Sequence, residues 1–198
     1  MISIITNRKQ ITYTDLVTHL KKCVHDSVER IVLREKDLTP EVVSKKISKI
    51  KSDAGLGQVP LLLNGPYPLL ETYGADGRHY TFEQFKSAVA QYEKLPFQVG
   101  VSAHSIEEIL WLNEKSLDYV LYGHIFVTAC KAGLQERGLD NLKLILETSK
   151  HPVVSLGGIS DENYNRILEK GGREIAMMSS VMKCQQPELY FEKFNGIK

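Results

Sequence analysis

Cysteine is scarce in this chain, and the three present, Cys23, Cys130 and Cys184, are far apart and odd in number. No Cys-x-x-Cys pair offers a zinc site and no even set offers a disulfide framework, so three free thiols in a reducing compartment are expected. An excess of one charge is also missing: 25 Lys and Arg stand against 24 Asp and Glu, a formal net charge of +1. Without a basic field, or basic clusters interleaved with aromatics, nucleic acid is not an expected partner. No apolar run approaches the ~20 residues that cross a bilayer. The opening stretch MISIITNRKQ lacks a basic leader followed by a long apolar segment. The chain therefore reads as soluble and cytoplasmic, with no membrane partner. There is no His-x-x-x-His and no pair of strand-end aspartates, so no metal site is expected. Low-complexity tracts and linkers are absent, and no Gly-x-Gly-x-x-Gly follows the first apolar run.

What is present is alternation. With 198 residues and 42% hydrophobic residues, the chain can bury the core of one domain spanning residues 1–198. Short β-rich runs alternate with helical patterns about every two dozen residues. The strands are expected at Ile2–Thr6, Arg30–Arg34, Val59–Leu63, Asp76–Tyr80, Phe97–Ser102, Asp118–Tyr122, Pro152–Leu156 and Glu174–Met178. Thr14-Asp15 opens a first helix with Leu16, Val17, Leu20 and Val24 on its apolar face. Thr39-Pro40-Glu41 opens a second, striped by Val42, Val43, Ile47 and Ile50. A short helix is expected at Tyr67–Thr72. Thr81 with Gln84, and Ser105 with Glu108, have capping-box spacing, the latter opening a helix with Leu110, Trp111 and Leu112. Further helices are expected at Leu139–Thr148, after Ser160-Asp161-Glu162, and at Pro187–Phe194. Eight such pairs imply a single-domain (β/α)8 TIM barrel of α/β class, with an open doubly wound sheet as the alternative.

In such a barrel the carboxyl ends of the strands form the functional face. Those ends carry Thr6-Asn7, Arg34-Glu35-Lys36, Asn64, Ser102, His124, Gly157-Gly158 and Ser179-Ser180. In Tyr119-Val120-Leu121-Tyr122-Gly123-His124, an apolar run ends in a glycine that lets the chain turn, and an imidazole follows it. Histidine titrates near neutrality, so His124 is the candidate acid/base, whereas His19, His25, His79, His104 and His151 read as packing or surface residues. Gly157, Gly158, Ser179 and Ser180 follow the seventh and eighth strands, where these barrels commonly bind phosphate through exposed amides. Arg34 and Lys36 alternate around Glu35, so both cations can face one anion. Asn64 and Ser102 are candidate donors to the ligand. Thr128 and Lys131 lie in the long loop after strand six, which can fold over it.

Leu33-Arg34-Glu35-Lys36, Gly100 through Ser105, Asp118-Tyr119-Val120, Gly123 through Lys131, Val153 through Ile159 and Met178-Ser179-Ser180 together resemble the thiamine phosphate synthase superfamily, from strand one to strand eight. The resemblance implies one of two activities. The synthase joins a pyrimidine pyrophosphate to a thiazole phosphate using Mg²⁺. The tautomerase of the TenI type converts a non-aromatic thiazole carboxylate phosphate to its aromatic tautomer without a metal or other cofactor. Synthases place Asn-Asp after strand three, where this chain has Asn64-Gly65. They carry an acidic Gly-Gln-x-Asp segment after strand four, where this chain has Gly77-Arg78-His79-Tyr80-Thr81-Phe82. After strand six they read Gly-Pro, and here His124 replaces the proline, as in the tautomerase branch, whose catalytic histidine sits at this position. The resemblance thus implies a thiazole tautomerase acting on a thiazole phosphate carboxylate, and a homodimer. A divergent synthase and a non-catalytic binder of thiazole or thiamine phosphates are the competing readings.

Overall fold

The computed structural model describes residues 1–92, 94–128 and 133–194. Eight parallel strands close in chain order into one barrel: β1 (Ile2–Ile5), β2 (Val28–Leu33), β3 (Leu61–Leu63), β4 (Gly77–Thr81), β5 (Gln98–Ala103), β6 (Tyr119–Gly123), β7 (Val153–Leu156) and β8 (Glu174–Met177). β8 pairs back onto β1 through Ile2–Ile175, Ser3–Ala176 and Ile4–Met177. That ladder excludes the open doubly wound sheet, and every expected strand forms within one or two residues of its expected ends.

The two-residue period of a strand explains the closure. Ile2, Ile4, Ile31, Leu33, Leu61, Leu63, Val120, Tyr122, Ile175 and Met177 belong to the outer core between strands and helices. Their neighbours Ile5, Val32, Leu62, Tyr119, Leu121, Val154 and Ala176 pack together inside the barrel. A register slip of one residue would exchange the two sets, so burial on both faces fixes the register. The lower interior is polar. Buried Arg30 reaches Ser3 Oγ at 2.9 Å and Glu174 at 2.8 Å, and its guanidinium lies 4.3 Å from the centre of the Tyr119 ring.

Around the barrel run α1 (Leu16–Lys22), α2 (Pro40–Asp53), α3 (Phe82–Val89), α4 (Ile106–Leu112), α5 (Gly138–Thr148), α6 (Asn165–Glu169), α7 (Ser179–Met182) and α8 (Pro187–Phe191). Asp15 caps α1 by accepting the Val17 and Thr18 N–H groups at 2.8 and 3.2 Å. Thr81 and Gln84 form the expected reciprocal capping box of α3. The second box is only half formed. Ser105 Oγ accepts the Glu108 N–H, but Glu108 Oε2 reaches one residue further back, to the His104 N–H at 2.6 Å. Val24, Val42 and Leu110, expected on apolar faces, are exposed.

The helix expected at Tyr67–Thr72 does not form, and its residues make turns. Pro66 and Pro68 have no N–H to donate, and the segment's carbonyls are already claimed. The wholly buried Arg78 guanidinium donates to the carbonyls of Gly65 (3.3 Å), Tyr67 (3.5 Å), Pro68 and Glu71 (3.1 Å). One arginine thus does the satisfying that a helix ladder would otherwise do. α6 begins at Asn165 rather than after Ser160. Asn163 accepts the Ser160 N–H and donates to Gly158 O at 2.8 Å, which makes this stretch a turn. α7 was not expected, and α8 ends at Phe191. Among the described residues no helix is long and apolar enough to cross a membrane.

Candidate active site

At the carboxyl end of β6 the backbone of β7 comes very close. A side chain at Gly123 would meet Leu156 O at 2.2 Å, so this glycine permits close strand approach rather than a turn through positive φ. His124 follows across a cis peptide bond and is buried, at 8% exposure. Its Nε2 faces Leu134 O at 3.4 Å, a long contact that leaves the nitrogen weakly engaged. The backbone around it is held tightly. Ile125 N donates to Leu156 O at 2.8 Å, Phe126 N to Gly157 O at 3.0 Å, and Arg137 N to His124 O at 2.9 Å. Arg137 Nε also donates to Gly123 O at 2.9 Å. The loop is thereby pinned at both ends.

Gly157 and Gly158 have φ of 102° and 67°, a region that disfavours any side chain. A Cβ on Gly157 would sit 2.3 Å from the Cβ of His124, and one on Gly158 would sit 2.5 Å from Val127 O. The pair therefore has a packing duty: it lets the segment from His124 to Val127 lie against the end of β7. Ser179 and Ser180 open the short helix α7, whose first-turn amides have no acceptor within their own helix. Ser180 Oγ makes a 3.4 Å contact to Ile159 O, which ties the ends of β7 and β8 together.

At the ends of β1 and β2, Glu35 turns into the protein. It accepts from Thr6 Oγ1, from Arg8 N at 2.9 Å and from the Arg8 guanidinium at 2.5 Å. The same guanidinium forms a two-pronged pair with Asp37 at 2.8 and 2.9 Å. That pairing raises the Arg8 pKa and holds the Asp37 carboxyl well below the usual carboxylate range. β2 ends at Leu33 and the Leu38 N–H donates to Glu35 O at 3.1 Å, so Lys36 sits in a turn and the strand alternation expected for Arg34 and Lys36 does not reach it. Asn7, Lys9, Arg34, Glu35, Lys36 and Asp37 line a cavity of about 190 Å³. A larger one, about 580 Å³, lies outside the barrel mouth between Phe126, Gly158, Arg166 and Lys170, and His124 does not line it.

At the ends of β3 and β4, Asn64 Nδ2 donates to His79 O at 2.7 Å. Ser102 Oγ, at the end of β5, meets His79 Nε2 at 2.8 Å. A divalent cation holding a pyrophosphate needs carboxylates here, and these residues do not fit one. Gly65 follows Asn64, Thr81 is spent on its capping box, Glu83 after it is exposed, and Glu35 is engaged by Thr6 and by the Arg8 amide and guanidinium. Asp76 lies at the opposite end of β4, where it accepts the Leu61 N–H at 2.9 Å. Among the described residues no three His, Cys, Asp or Glu side chains could hold a metal.

The fold thus sets Arg34, Asn64, Ser102, His124, Gly157, Gly158, Ser179 and Ser180 around one mouth, with Thr128 on the loop beside it. Lys131 and Cys130 lie outside the described residues. Sequence reasoning missed Arg8, Arg78 and Arg137. Each is an arginine in a polar stretch, and only the fold shows whether its charge points to solvent or inward.

The thiamine monophosphate synthase family model matches residues 2–181. A thiamine-phosphate synthase from Clostridium acetobutylicum is 30% identical over 187 residues, covering 92% of this chain and 87% of that protein. One from Persephonella marina is 27% identical over 198 residues, covering 98% and 93%. Among solved structures, a thiamine phosphate pyrophosphorylase from Pyrococcus furiosus superposes with a TM-score of 0.81 at 24% identity, covering 99% and 94% of the two chains.

Proposed function

This chain belongs to the thiamine monophosphate synthase family, and from that premise we propose that it is the family's metal-free thiazole tautomerase. The observation that carries the reading is His124, a buried imidazole at the end of β6 with one long contact among the described residues, in a mouth where Asn64-Gly65 follows β3 and the capping Thr81 ends β4. A tautomerase needs a proton carrier beside an anchored anion, and His124 near the Gly157-Gly158 and Ser179-Ser180 amides supports that reading.

The substrate's phosphate is anchored at Gly157, Gly158, Ser179 and Ser180, and its carboxylate is directed to Arg34 and Lys36, with Asn64, Ser102 and Thr128 around it; Lys131, outside the described residues, is kept as a candidate anion contact from the sequence alone. Anchoring two anionic ends turns remote binding into placement of the reacting carbons. The proton leaves the ring carbon that bears the carboxylate, and the electron pair moves through the ring to complete the aromatic system. A proton is then added to the exocyclic carbon. In this scheme His124 takes the first proton and returns one to the second carbon. The homodimer implied by the family resemblance belongs to the same proposal, and light scattering of the purified chain tests it.

The second reading is thiamine phosphate synthase, and the relatives from Clostridium acetobutylicum and Persephonella marina, both thiamine-phosphate synthases, favour it. Proton NMR separates the two. Rapid metal-free aromatisation of the thiazole carboxylate phosphate by wild type, lost in His124→Asn, supports the tautomerase. No acceleration, with thiamine phosphate appearing once Mg²⁺, pyrimidine pyrophosphate and thiazole phosphate are supplied, supports the synthase. Ligand binding with neither reaction supports a non-catalytic binder.

A further inference from the structure

His79 is wholly buried inside the barrel and uses both ring nitrogens. Nδ1 lies 2.9 Å from the Tyr119 hydroxyl, and Nε2 lies 2.8 Å from Ser102 Oγ. The two rings stack at 5.6 Å, and Gly100 leaves the space Tyr119 fills, since a Cβ there would sit 2.1 Å from Tyr119 Cζ. Among the described residues the buried Tyr119 hydroxyl has no partner but His79.

That constraint fixes the direction of the whole chain. A tyrosine hydroxyl has one hydrogen, and if it accepted from Nδ1 that hydrogen would be buried without an acceptor. Tyr119 therefore donates to Nδ1, and the neutral ring carries its own proton on Nε2. The Nε2–H in turn donates to Ser102 Oγ. The lone pair facing inward is then occupied, and the Ser102 hydrogen has no protein acceptor among the described residues. We infer that His79 is a positioning residue that locks the Ser102 hydroxyl as a hydrogen-bond donor toward the mouth, where it contacts the anionic group of the ligand.

The surroundings keep the ring in this state. Burial, reinforced by the Arg30 cation, pushes its pKa down to about 3. It thus stays a neutral ring of one tautomer across the physiological range, a fixed dipole rather than a proton carrier. This role rests on the proposal that Ser102 belongs to the ligand site. It does not depend on which of the two reactions the protein performs.

Two measurements separate a failure of this inference from a failure of that proposal. In the free protein, ¹⁵N NMR of the histidine rings is expected to show His79 protonated at Nε2 and bare at Nδ1. The opposite tautomer overturns the inference whatever the ligand. Affinity for the aromatic thiazole phosphate carboxylate is then measured by titration calorimetry. Ser102→Ala is expected to weaken binding about tenfold, the loss of one hydrogen bond to a charged group. Tyr119→Phe frees the ring to adopt the other tautomer and is expected to weaken binding several-fold. His79→Leu is expected to match Ser102→Ala, and His79→Gln, which keeps a donor in place, to restore most of the loss. In a Ser102→Ala background the His79 and Tyr119 changes should have no further effect. Losses that persist in that background, with the Tm of each variant measured alongside, would show a purely structural role and overturn the inference. Full affinity in Ser102→Ala would instead remove Ser102 from the ligand site, leaving the tautomer result to stand alone.

Discussion

Around β3 and β4 the rim of the barrel consumes its own polar groups, whereas around β6 and β7 it leaves an imidazole with, among the described residues, a single 3.4 Å contact. On the first side Arg78 gathers four carbonyls, Asn64 holds His79 O, and Tyr80 donates to Leu69 O. On the second side the backbone is held by its own bonds and by the Arg137 and Asn163 side chains, and two positive-φ glycines bring that backbone close enough to bury His124. Saturated polar groups build structure, and a poised one can do chemistry. The two sectors differ in that respect rather than in composition.

The largest effect expected from breaking this contrast is on rate. His124→Asn should lower tautomerisation by about 10²- to 10⁴-fold while leaving Tm nearly unchanged, as stopped-flow absorbance and calorimetry would show. Arg78→Met should do the reverse. It strands several buried carbonyls and costs about 3 kcal/mol of stability, read by urea denaturation, with the rate per folded molecule retained. Gly157→Ala should damage both sectors' properties at once, because its Cβ meets His124 at φ 102°. A loss of about 2 kcal/mol with a lower rate is expected.

The fourth effect is pH-dependent. His79 titrates at about 3 in the fold against an ordinary 6.5, so between those values the unfolded chain binds the extra proton. Its contribution is complete above pH 6.5 and falls as the pH drops toward 3, at up to about 1.4 kcal/mol per pH unit. Urea unfolding across that window should show a shallower acid limb for His79→Gln than for wild type. The smallest effect should come from Arg34→Met, which raises KM about tenfold and leaves kcat close to wild type, since in the proposed site this cation holds the ligand and not the moving proton.

The strands were legible because inside-and-outside burial writes them as nearly continuous apolar runs, and the mouth was legible because polarity begins abruptly at Asn64 and His124. The third helix was misread because Tyr67–Thr72 has a helix-compatible apolar pattern. What decides its fate is Arg78, which follows it in the chain and reads locally as an exposed charge. The same blindness hid His79. A histidine inside a strand that also carries Arg78 looked like weak β structure, and its partners Ser102 and Tyr119 lie 23 and 40 residues away. Loop position points to Gly157-Gly158 as an anion cradle, and the packing duty that the pair also has, against His124 and Val127, is invisible locally. Long-range packing decides each of these cases.

The polar plug of Ser3, Arg30, Tyr119 and Glu174 makes the barrel a cup with one opening. These side chains fill the base of the barrel, and the rim of strand ends faces the other way. In the tautomerisation proposed above, such a cup would favour return of the hydrogen lifted from one carbon to the other carbon of the same molecule. Isotope placed at the first carbon would then travel with the molecule instead of being diluted into the medium.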